Sequence, residues 1–410
     1  MEPGDPRGSL ILRSADERSA GGGYAVSIWG RRRSEPVAPN GRTKATDGFG
    51  TVRLFAAFFV IIDHAAPLTK SGGSILPTRF GVDLGAVTVS AFMAMSGYLV
   101  IRSWERDPNL WRFAVRRALR ILPGLVVVVC LSAFVLGPVL TTLSTAAYYD
   151  HPLTWSYVYD NVRVFPQQYV LPGVFADNPY PNAVNGSLWS LPVEVLGYAL
   201  IAVLGLAGAI RRRWIVLLAA FALAVVFQRL LTRQLELPKV LLMVPTVPLV
   251  QYLAVYCVGM LAYLYRDKIR YSWWGVAVCV GVEYVMHASA MTEVTRLVTV
   301  PYVVLAIGTL LPKRLWLPSS VTMASYGVYL YGFPTEQFVV HMGAGSKWLV
   351  ALLSVPIAFA LGMLSWHLVE SPAMKLRKVL LRRPKRERPA APPPPPPAEE
   401  PVAAGSAGPR

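Results

Sequence analysis

Long apolar stretches separated by short polar segments make up most of the chain between residues 49 and 374. A stretch of about 20 residues with almost no charge is long enough to cross the roughly 30 Å of hydrocarbon in a bilayer. The pattern therefore predicts an all-α polytopic membrane protein with about ten transmembrane helices. The predicted spans lie near residues 50–68, 85–103, 121–143, 187–209, 214–232, 240–264, 272–290, 294–311, 319–341 and 346–369.

The two ends of the chain lack this apolar pattern. Residues 1–48 are predicted to be a basic disordered tail, and residues 375–410 a second tail that is first basic and then proline-rich. An even number of spans places both tails on one side of the membrane. The connecting loops on that side also carry more Lys and Arg than the opposite loops, so both termini are predicted to be cytoplasmic.

One connection on the opposite, outer side is much longer than the others. Residues 144–186 are rich in Tyr, Trp, Asn, Asp and Pro. Connections longer than about 15 residues are usually functional or disordered. The high aromatic content favours a folded cap or a loop that faces the substrate over a flexible tether.

Composition supports the membrane assignment and limits the partners. Hydrophobic residues make up 54% of the chain and charged residues only 15%, against about a quarter in soluble domains. The net charge of +17 lies in loops and tails, as expected for contact with an anionic lipid bilayer, and no nucleic-acid partner is predicted. The three cysteines fall in apolar segments without ligand spacing, so no metal site is predicted.

The first predicted span contains ionisable side chains, which are functional candidates by default inside a membrane. Arg53 and His64 are eleven residues apart, so both project from nearly the same helical face, separated by about 16 Å along the axis. Asp63 points about 100° away and is not expected to orient His64. The alternative interpretation is that Arg53 only reaches lipid phosphates and that His64 only caps the helix.

Two further segments carry charge at the edges of spans. Glu194 lies in the fourth span and, by the predicted topology, shares the outer half of the membrane with His64. A carboxylate that reaches a histidine fixes its tautomer and raises its basicity. Arg116, Arg117 and Arg120 precede the third span, and their guanidinium groups suit phosphate, although plain anchoring at the membrane surface explains them equally.

Together these segments resemble the integral-membrane acyltransferase-3 family, whose members O-acylate polysaccharides, glycolipids and other secreted molecules. The resemblance covers about residues 48–374. It rests on six segments that occur in family order, namely Arg53 to His64, Ser96-Gly97-Tyr98-Leu99, Phe113 to Pro123, Ser187 to Glu194, Ala324 to Tyr331, and Ser365 to Pro372.

The resemblance implies a membrane-embedded acyltransferase of the inner (plasma) membrane. Its donor substrate is expected to be acyl-CoA, with acetyl as the expected acyl group, and no tightly bound cofactor is expected. The acceptor is expected to be a sugar hydroxyl in a cell-surface polysaccharide or glycolipid. Peptidoglycan and small metabolites remain open as acceptors.

The resemblance also assigns roles to residues of this chain. The expected catalytic residues are His64 as general base, Arg53, and Glu194 as the group that orients His64, and an acyl-histidine relay remains an alternative. The phosphates of CoA are expected to bind the arginines of the first span and of the basic segment, and three further residues are expected to contact substrate. These two groups are Arg53, Arg116, Arg117 and Arg120 for CoA, and Ser96, Trp189 and Tyr331 for substrate.

The strongest alternative comes from another class of protein. A proton-coupled secondary transporter would use the same intramembrane Arg, His and Glu side chains as a proton relay or substrate site. The sequence lacks the internal repeat symmetry that is common in such transporters.

Overall fold

The computed structural model describes residues 47–71 and 83–381. The predicted disordered tails lie almost entirely outside these residues. The end of the N-terminal tail, residues 47–48, already belongs to the first helix, and the beginning of the C-terminal tail is helical as far as Leu380.

Helices account for nearly all of the regular structure in the described residues. In chain order they are α1 (Asp47–Leu68), α2 (Leu84–Arg106), α3 (Leu110–Leu131), α4 (Gly137–Leu140), α5 (Thr145–Asp150), α6 (Pro152–Arg163), α7 (Ser190–Leu206), α8 (Arg213–Leu231), α9 (Thr246–Leu264), α10 (Trp273–Met286), α11 (Thr292–Leu310), α12 (Ser319–Thr322), α13 (Ser325–His341), α14 (Lys347–Ser365) and α15 (Ser371–Leu380).

Short irregular helices join several of these elements. Two π-helical stretches connect α3 to α4 and α14 to α15, and three 3₁₀ turns precede α7, α8 and α12. These are the π stretches Ser132–Leu136 and Trp366–Glu370, and the 3₁₀ turns Gly186–Trp189, Ala209–Arg211 and Lys313–Leu315. The chain is therefore helical without interruption from residue 110 to 140 and from residue 347 to 380.

The predicted all-α membrane fold is confirmed. Eight helical segments in the described part of the chain are long and apolar enough to cross a bilayer. They are Gly48–Leu68, Leu84–Arg106, Leu110–Leu140, Gly186–Leu206, Arg213–Leu231, Thr246–Leu264, Thr292–Leu310 and Lys347–Arg377. The other two predicted spans also form helices, but these are shorter. Helix α10 has 14 residues and α13 has 17.

The sixth predicted span is wrong at its beginning. Residues 240–245 form a small antiparallel hairpin instead of helix, with β1 (Val240–Leu241) paired to β2 (Val244–Pro245). Both residues of its turn, Leu242 and Met243, have positive φ angles of 50° and 61°, which an α-helix does not accept. The apolar character of this segment therefore did not determine its conformation.

The centre of the bundle is built on close backbone contact between α2 and α9. A Cβ atom on Gly97 would lie 2.1 Å from the Tyr256 carbonyl oxygen, and one on Gly259 would lie 2.2 Å from that of Ala94. Small residues allow membrane helices to approach this closely. Close packing matters here because helices in lipid associate through van der Waals contacts and not through the hydrophobic effect. The Ser96-Gly97 segment therefore fixes where α2 passes the rest of the bundle.

The long connection on the predicted outer side is folded, as its aromatic content indicated. Tyr148 and Tyr157, on α5 and α6, are fully buried, and the Tyr148 hydroxyl donates to the Ala133 carbonyl oxygen at 2.7 Å. Asn161 ties α6 to the following segment, because its amide donates to the Gln168 carbonyl oxygen at 2.7 Å. The connection therefore packs onto the end of α3 as an ordered cap.

Candidate active site

A polar cavity lies among α1, α2, α3, α7 and α13. Its volume is about 110 Å³. We call it the inner cavity, because Arg53 and the basic segment lie toward the predicted cytoplasmic ends of α1 and α3. The polar side chains that line it are Arg53, Ser96, Arg117, Arg120, Ser190, Glu194, Tyr198, Ser325, Tyr326 and Tyr329.

Three arginines give this cavity an excess of positive charge. Arg53 and Arg117 each have a buried Nε atom without a hydrogen-bond partner among the described residues, and Arg120 has such an Nη1 atom. The Arg117 guanidinium lies 5.6 Å from the centre of the Tyr198 ring. Glu194 supplies the carboxylate on the cavity wall. Buried cations of this kind are costly unless an anion joins them, so the cavity is suited to an anionic ligand.

Arg116 does not belong to this group, contrary to the prediction that it binds the donor. Its Nη1 atom donates to Asp107 Oδ2 at 2.6 Å, and Arg112 donates to the other carboxylate oxygen at 3.0 Å. The prediction grouped Arg116 with Arg117 and Arg120 because the three guanidinium groups lie in one basic segment. The structure instead turns Arg117 and Arg120 toward the cavity, since Asp107, just after α2, draws Arg116 away.

Glu194 lies in the inner cavity and not beside His64. Its Oε1 atom accepts hydrogen bonds from Ser96 Oγ at 2.7 Å and from the Tyr198 hydroxyl at 2.6 Å. The expectation that Glu194 orients His64 is therefore not met by this arrangement. The spacing of apolar residues along the chain predicts which residues lie on a helix. It does not predict the depth at which two helices contact each other, because that depends on how they pack. Ser96, which was expected to contact substrate, lines the inner cavity.

The carboxylate that faces His64 belongs to Glu336 on α13. Glu336 Oε2 lies 3.7 Å from His64 Nδ1, and the two side chains are 0% and 23% exposed. Neither oxygen of Glu336 has a hydrogen-bond partner among the described residues. The Phe333 ring packs edge-on against the imidazole, with 5.4 Å between the ring centres. Glu336 is thus a buried carboxylate that lies beside the candidate base.

Sequence reasoning missed Glu336 although a signal was present. The rule that an ionisable residue inside a span is a functional candidate applies to Glu336 in the ninth predicted span as it does to Glu194. Asp63, which was not expected to orient His64, lies near the start of α2, where a Cβ atom on Gly85 would lie 2.8 Å from its Oδ2 atom.

Arg53 and His64 both lie on α1, which is helical throughout from Asp47 to Leu68. The expected separation of about 16 Å along one helix therefore holds, because nothing breaks the helix between them. The inner cavity and the His64–Glu336 pair are two regions at different depths of the same bundle, joined by a single rigid element.

The two aromatic substrate contacts predicted from sequence lie outside the inner cavity. The Trp189 ring packs on Tyr252, with 5.5 Å between centres, and Tyr331 is buried on α13. Tyr329 lines the cavity instead. Its hydroxyl donates to the Ser187 carbonyl oxygen at 2.7 Å and shares a hydrogen bond of 2.6 Å with Ser190 Oγ. Tyr329 therefore joins two of the sequence segments that had been singled out separately.

No group of three or more His, Cys, Asp or Glu side chains that could hold a metal ion occurs within residues 47–71 and 83–381. The chemistry available at the site is that of an imidazole beside a carboxylate, with arginines and hydroxyl groups in the neighbouring cavity. This set can bind an anion and move a proton.

Fold and site together define a polytopic membrane protein with ionisable groups buried between its helices. The family model described as an acyltransferase domain, acyltransferase-3, matches residues 47–367. The chain belongs to this family and is an acyltransferase. This membership disfavours the secondary transporter that the intramembrane charges had left open.

Two relatives extend the comparison. The chain is 30% identical to an "O-acetyl transferase" of Shigella phage Sf6 over 340 residues, which cover 78% of this chain and 94% of the relative. It is 28% identical to "Nodulation protein 10" of Rhizobium leguminosarum bv. viciae over 371 residues, which cover 82% of this chain and 95% of the relative. No solved structure matches the chain.

Proposed function

We propose that this protein transfers an acetyl group from acetyl-CoA to a hydroxyl of a sugar in a cell-surface polysaccharide or glycolipid. The observation that carries the proposal is the inner cavity, in which Arg53, Arg117 and Arg120 surround a polar space on the same bundle as the His64–Glu336 pair. The similarity to a phage O-acetyl transferase supports acetyl as the acyl group.

The arginines account for recognition of the donor. CoA carries several phosphates, and guanidinium groups bind phosphate oxygens through two parallel hydrogen bonds. Arg53, Arg117 and Arg120 bind these phosphates in the inner cavity, while Arg116 stays on Asp107 and takes no direct part. The pantetheine arm then runs along α1 from Arg53 toward His64.

His64 is the general base of the proposed reaction. It takes the proton from the acceptor hydroxyl as that oxygen attacks the thioester carbonyl carbon, which is the general-base role of a neutral imidazole. The new C–O bond forms, the C–S bond breaks, and the CoA thiolate leaves and takes the proton from His64. Glu336 lies 3.7 Å from the imidazole Nδ1 atom and stabilises the imidazolium while it carries the proton.

The membrane position of the protein is part of the proposal. The distribution of Lys and Arg along the sequence favours an inner-membrane protein with both termini in the cytoplasm. The arginine-lined cavity then lies on the side where acetyl-CoA is made available, and His64 lies nearer the side from which a surface sugar is reached.

The proposal is tested by incubating the purified protein with acetyl-CoA and measuring release of free CoA, first without an acceptor and then with added glycolipid or polysaccharide. We expect slow hydrolysis alone and faster CoA release with the correct acceptor, with acetate recovered as an ester. A folded protein that neither binds nor turns over acetyl-CoA would contradict the proposed donor. Turnover with no acceleration by either class of glycan would contradict the proposed acceptor.

A further inference from the structure

Glu370 is a buried carboxylate at the junction of α14 and α15. It is the last residue of the π-helical stretch Trp366–Glu370 and is 1% exposed. Pro372 lies two residues later and has no backbone N–H, so the hydrogen-bond ladder is broken there. The break in the ladder occurs where a charged side chain enters the bundle.

The π-helical stretch determines which way Glu370 faces. In an α-helix, residues five apart are about 140° apart around the axis, so Ser365 and Glu370 would lie on different faces. A π-helix bonds residue i to residue i+5 and brings them close to one line. Ser365 Oγ accordingly donates to Glu370 Oε1 at 3.1 Å. The widened turn thus directs the carboxylate to the interior.

The second oxygen of Glu370 faces an arginine of the inner cavity. Glu370 Oε2 lies 3.7 Å from Arg120 Nη1. The Arg120 guanidinium also lies 5.5 Å from the centre of the Tyr326 ring, and both of these side chains line the cavity. Arg120 is therefore held between a carboxylate on one side and an aromatic ring on the other.

The distance between Arg120 and Glu370 is longer than that in the ion pair between Arg116, on the same helix, and Asp107. Arg116 donates to Asp107 at 2.6 Å and also to the carbonyl oxygen of that residue at 3.2 Å. Arg120 makes no hydrogen bond to Glu370, and its Nη1 atom has no partner among the described residues. The Arg120 Nη1 atom thus remains available to a ligand, whereas both Nη atoms of Arg116 donate to Asp107.

Stability alone is a poor reason for such a pair. Removing two charges from water is costly, and a buried ion pair is often no more stabilising than apolar side chains of similar size. One member of this pair, Arg120, lines a ligand cavity. The pair is better explained by the orientation that Glu370 gives to the Arg120 guanidinium.

We propose that Glu370 is a positioning residue that holds the Arg120 guanidinium in the inner cavity, where it binds the phosphates of the acyl donor. This inference rests on the proposed function, since it assumes that the donor is a CoA thioester. Glu370 itself does not touch the donor or the reacting atoms.

The test compares two donors in the purified full-length protein. Acetyl-CoA carries phosphates, whereas S-acetylpantetheine carries the same thioester without any. In Glu370→Gln we expect the KM for acetyl-CoA to rise about tenfold with kcat unchanged, because one charge-assisted contact is misplaced. The KM for S-acetylpantetheine stays at the wild-type value. Arg120→Gln gives the same pattern, and the double variant is no worse than Arg120→Gln alone.

Glu283→Gln is the matched control. Glu283 on α10 pairs with Arg296 at 3.1 Å and does not line the cavity, so its loss removes a membrane ion pair of similar kind. We expect no change in the ratio of the two KM values. If Glu370→Gln does not fold, Glu370→Asp keeps the charge, and we expect a smaller increase in the KM for acetyl-CoA alone.

Three results would overturn the inference. They are an unchanged KM for acetyl-CoA in Glu370→Gln, an equal rise for both donors, and a double variant that adds the two single effects. Failure of the proposed function itself looks different, because the wild-type protein would then not use acetyl-CoA, or would use both donors equally well.

Discussion

The inner cavity and the His64–Glu336 pair differ in how their polar groups are satisfied. In the cavity, Glu194 accepts two hydrogen bonds from Ser96 and Tyr198, and the excess charge is positive. At the pair, the carboxylate of Glu336 has no hydrogen-bond partner among the described residues and lies 3.7 Å from the imidazole Nδ1 atom. A fixed positive surface is suited to holding an anion, whereas a loosely held carboxylate and imidazole are suited to moving a proton. The difference suggests a division between binding and chemistry.

Helix α1 holds the two regions at a fixed distance from each other. It carries Arg53 in one region and His64 in the other without a break. A donor held at the arginines therefore presents its thioester at a fixed depth. Substitutions in the two regions should separate donor binding from the chemical step.

His64→Ala is expected to have the largest effect. Loss of the general base should lower the rate of acetyl transfer about a thousandfold, while binding of acetyl-CoA stays near the wild-type value. Transfer is measured from the rate of ester formation and binding by calorimetry. A variant that loses donor binding to the same degree as transfer would remove the distinction between the regions.

Glu336→Gln should lower kcat about a hundredfold with little change in the KM for acetyl-CoA. The amide has nearly the same shape but cannot stabilise an imidazolium, so the base is present yet poorly supported. Steady-state kinetics at several donor concentrations measure both constants. Wild-type kcat in this variant would leave Glu336 without a role in the reaction.

Arg53→Gln should affect binding and not chemistry. A lost charge-assisted contact to phosphate raises the KM for acetyl-CoA about tenfold to a hundredfold, with kcat within about threefold of the wild type. Arg116→Gln is the matched control, because that side chain is already paired with Asp107 and does not line the cavity. Equal effects of the two substitutions would indicate that general surface charge, and not the cavity, attracts the donor.

Ser96→Ala should have the smallest effect. It removes one of the two hydrogen bonds to Glu194, whose carboxylate is then freer to turn toward Arg53 and compete with the donor. We expect the KM for acetyl-CoA to rise about threefold to fivefold. Ser90→Ala, a buried position on the same helix outside the cavity, should leave the KM unchanged. A change in kcat alone would contradict this role for Ser96.

Much of the architecture was predictable because the membrane restricts the choices. A chain that crosses hydrocarbon must satisfy its backbone within each segment, so long apolar stretches become helices. Each of the ten predicted spans overlaps at least one of the helices. The hairpin at residues 240–245 was not predictable in this way, since its turn depends on local φ angles that hydropathy does not encode.

The candidate site was predictable only in part. Arg53 was found from the rule that ionisable groups inside spans are functional candidates. Arg117 and Arg120 were found because guanidinium groups suit phosphate, and Ser96 from the family resemblance, and all four line the inner cavity. The predicted partnership of Glu194 with His64 failed, because it assumed that two residues in the same half of the membrane are neighbours.

The sequence alone determined that this chain is a helical membrane protein, which helices carry charge, and that it resembles an acyltransferase family. Those properties are local, because hydrophobicity, spacing along one helix and short motifs are all read along the chain. Only the tertiary structure decided that Glu336 faces His64, that Glu194 faces Ser96, and that Arg116 is held by Asp107. These contacts depend on the depth and rotation at which helices pack. Depth and rotation are set by close backbone contacts between residues far apart in the sequence, such as that of Gly97 with Tyr256.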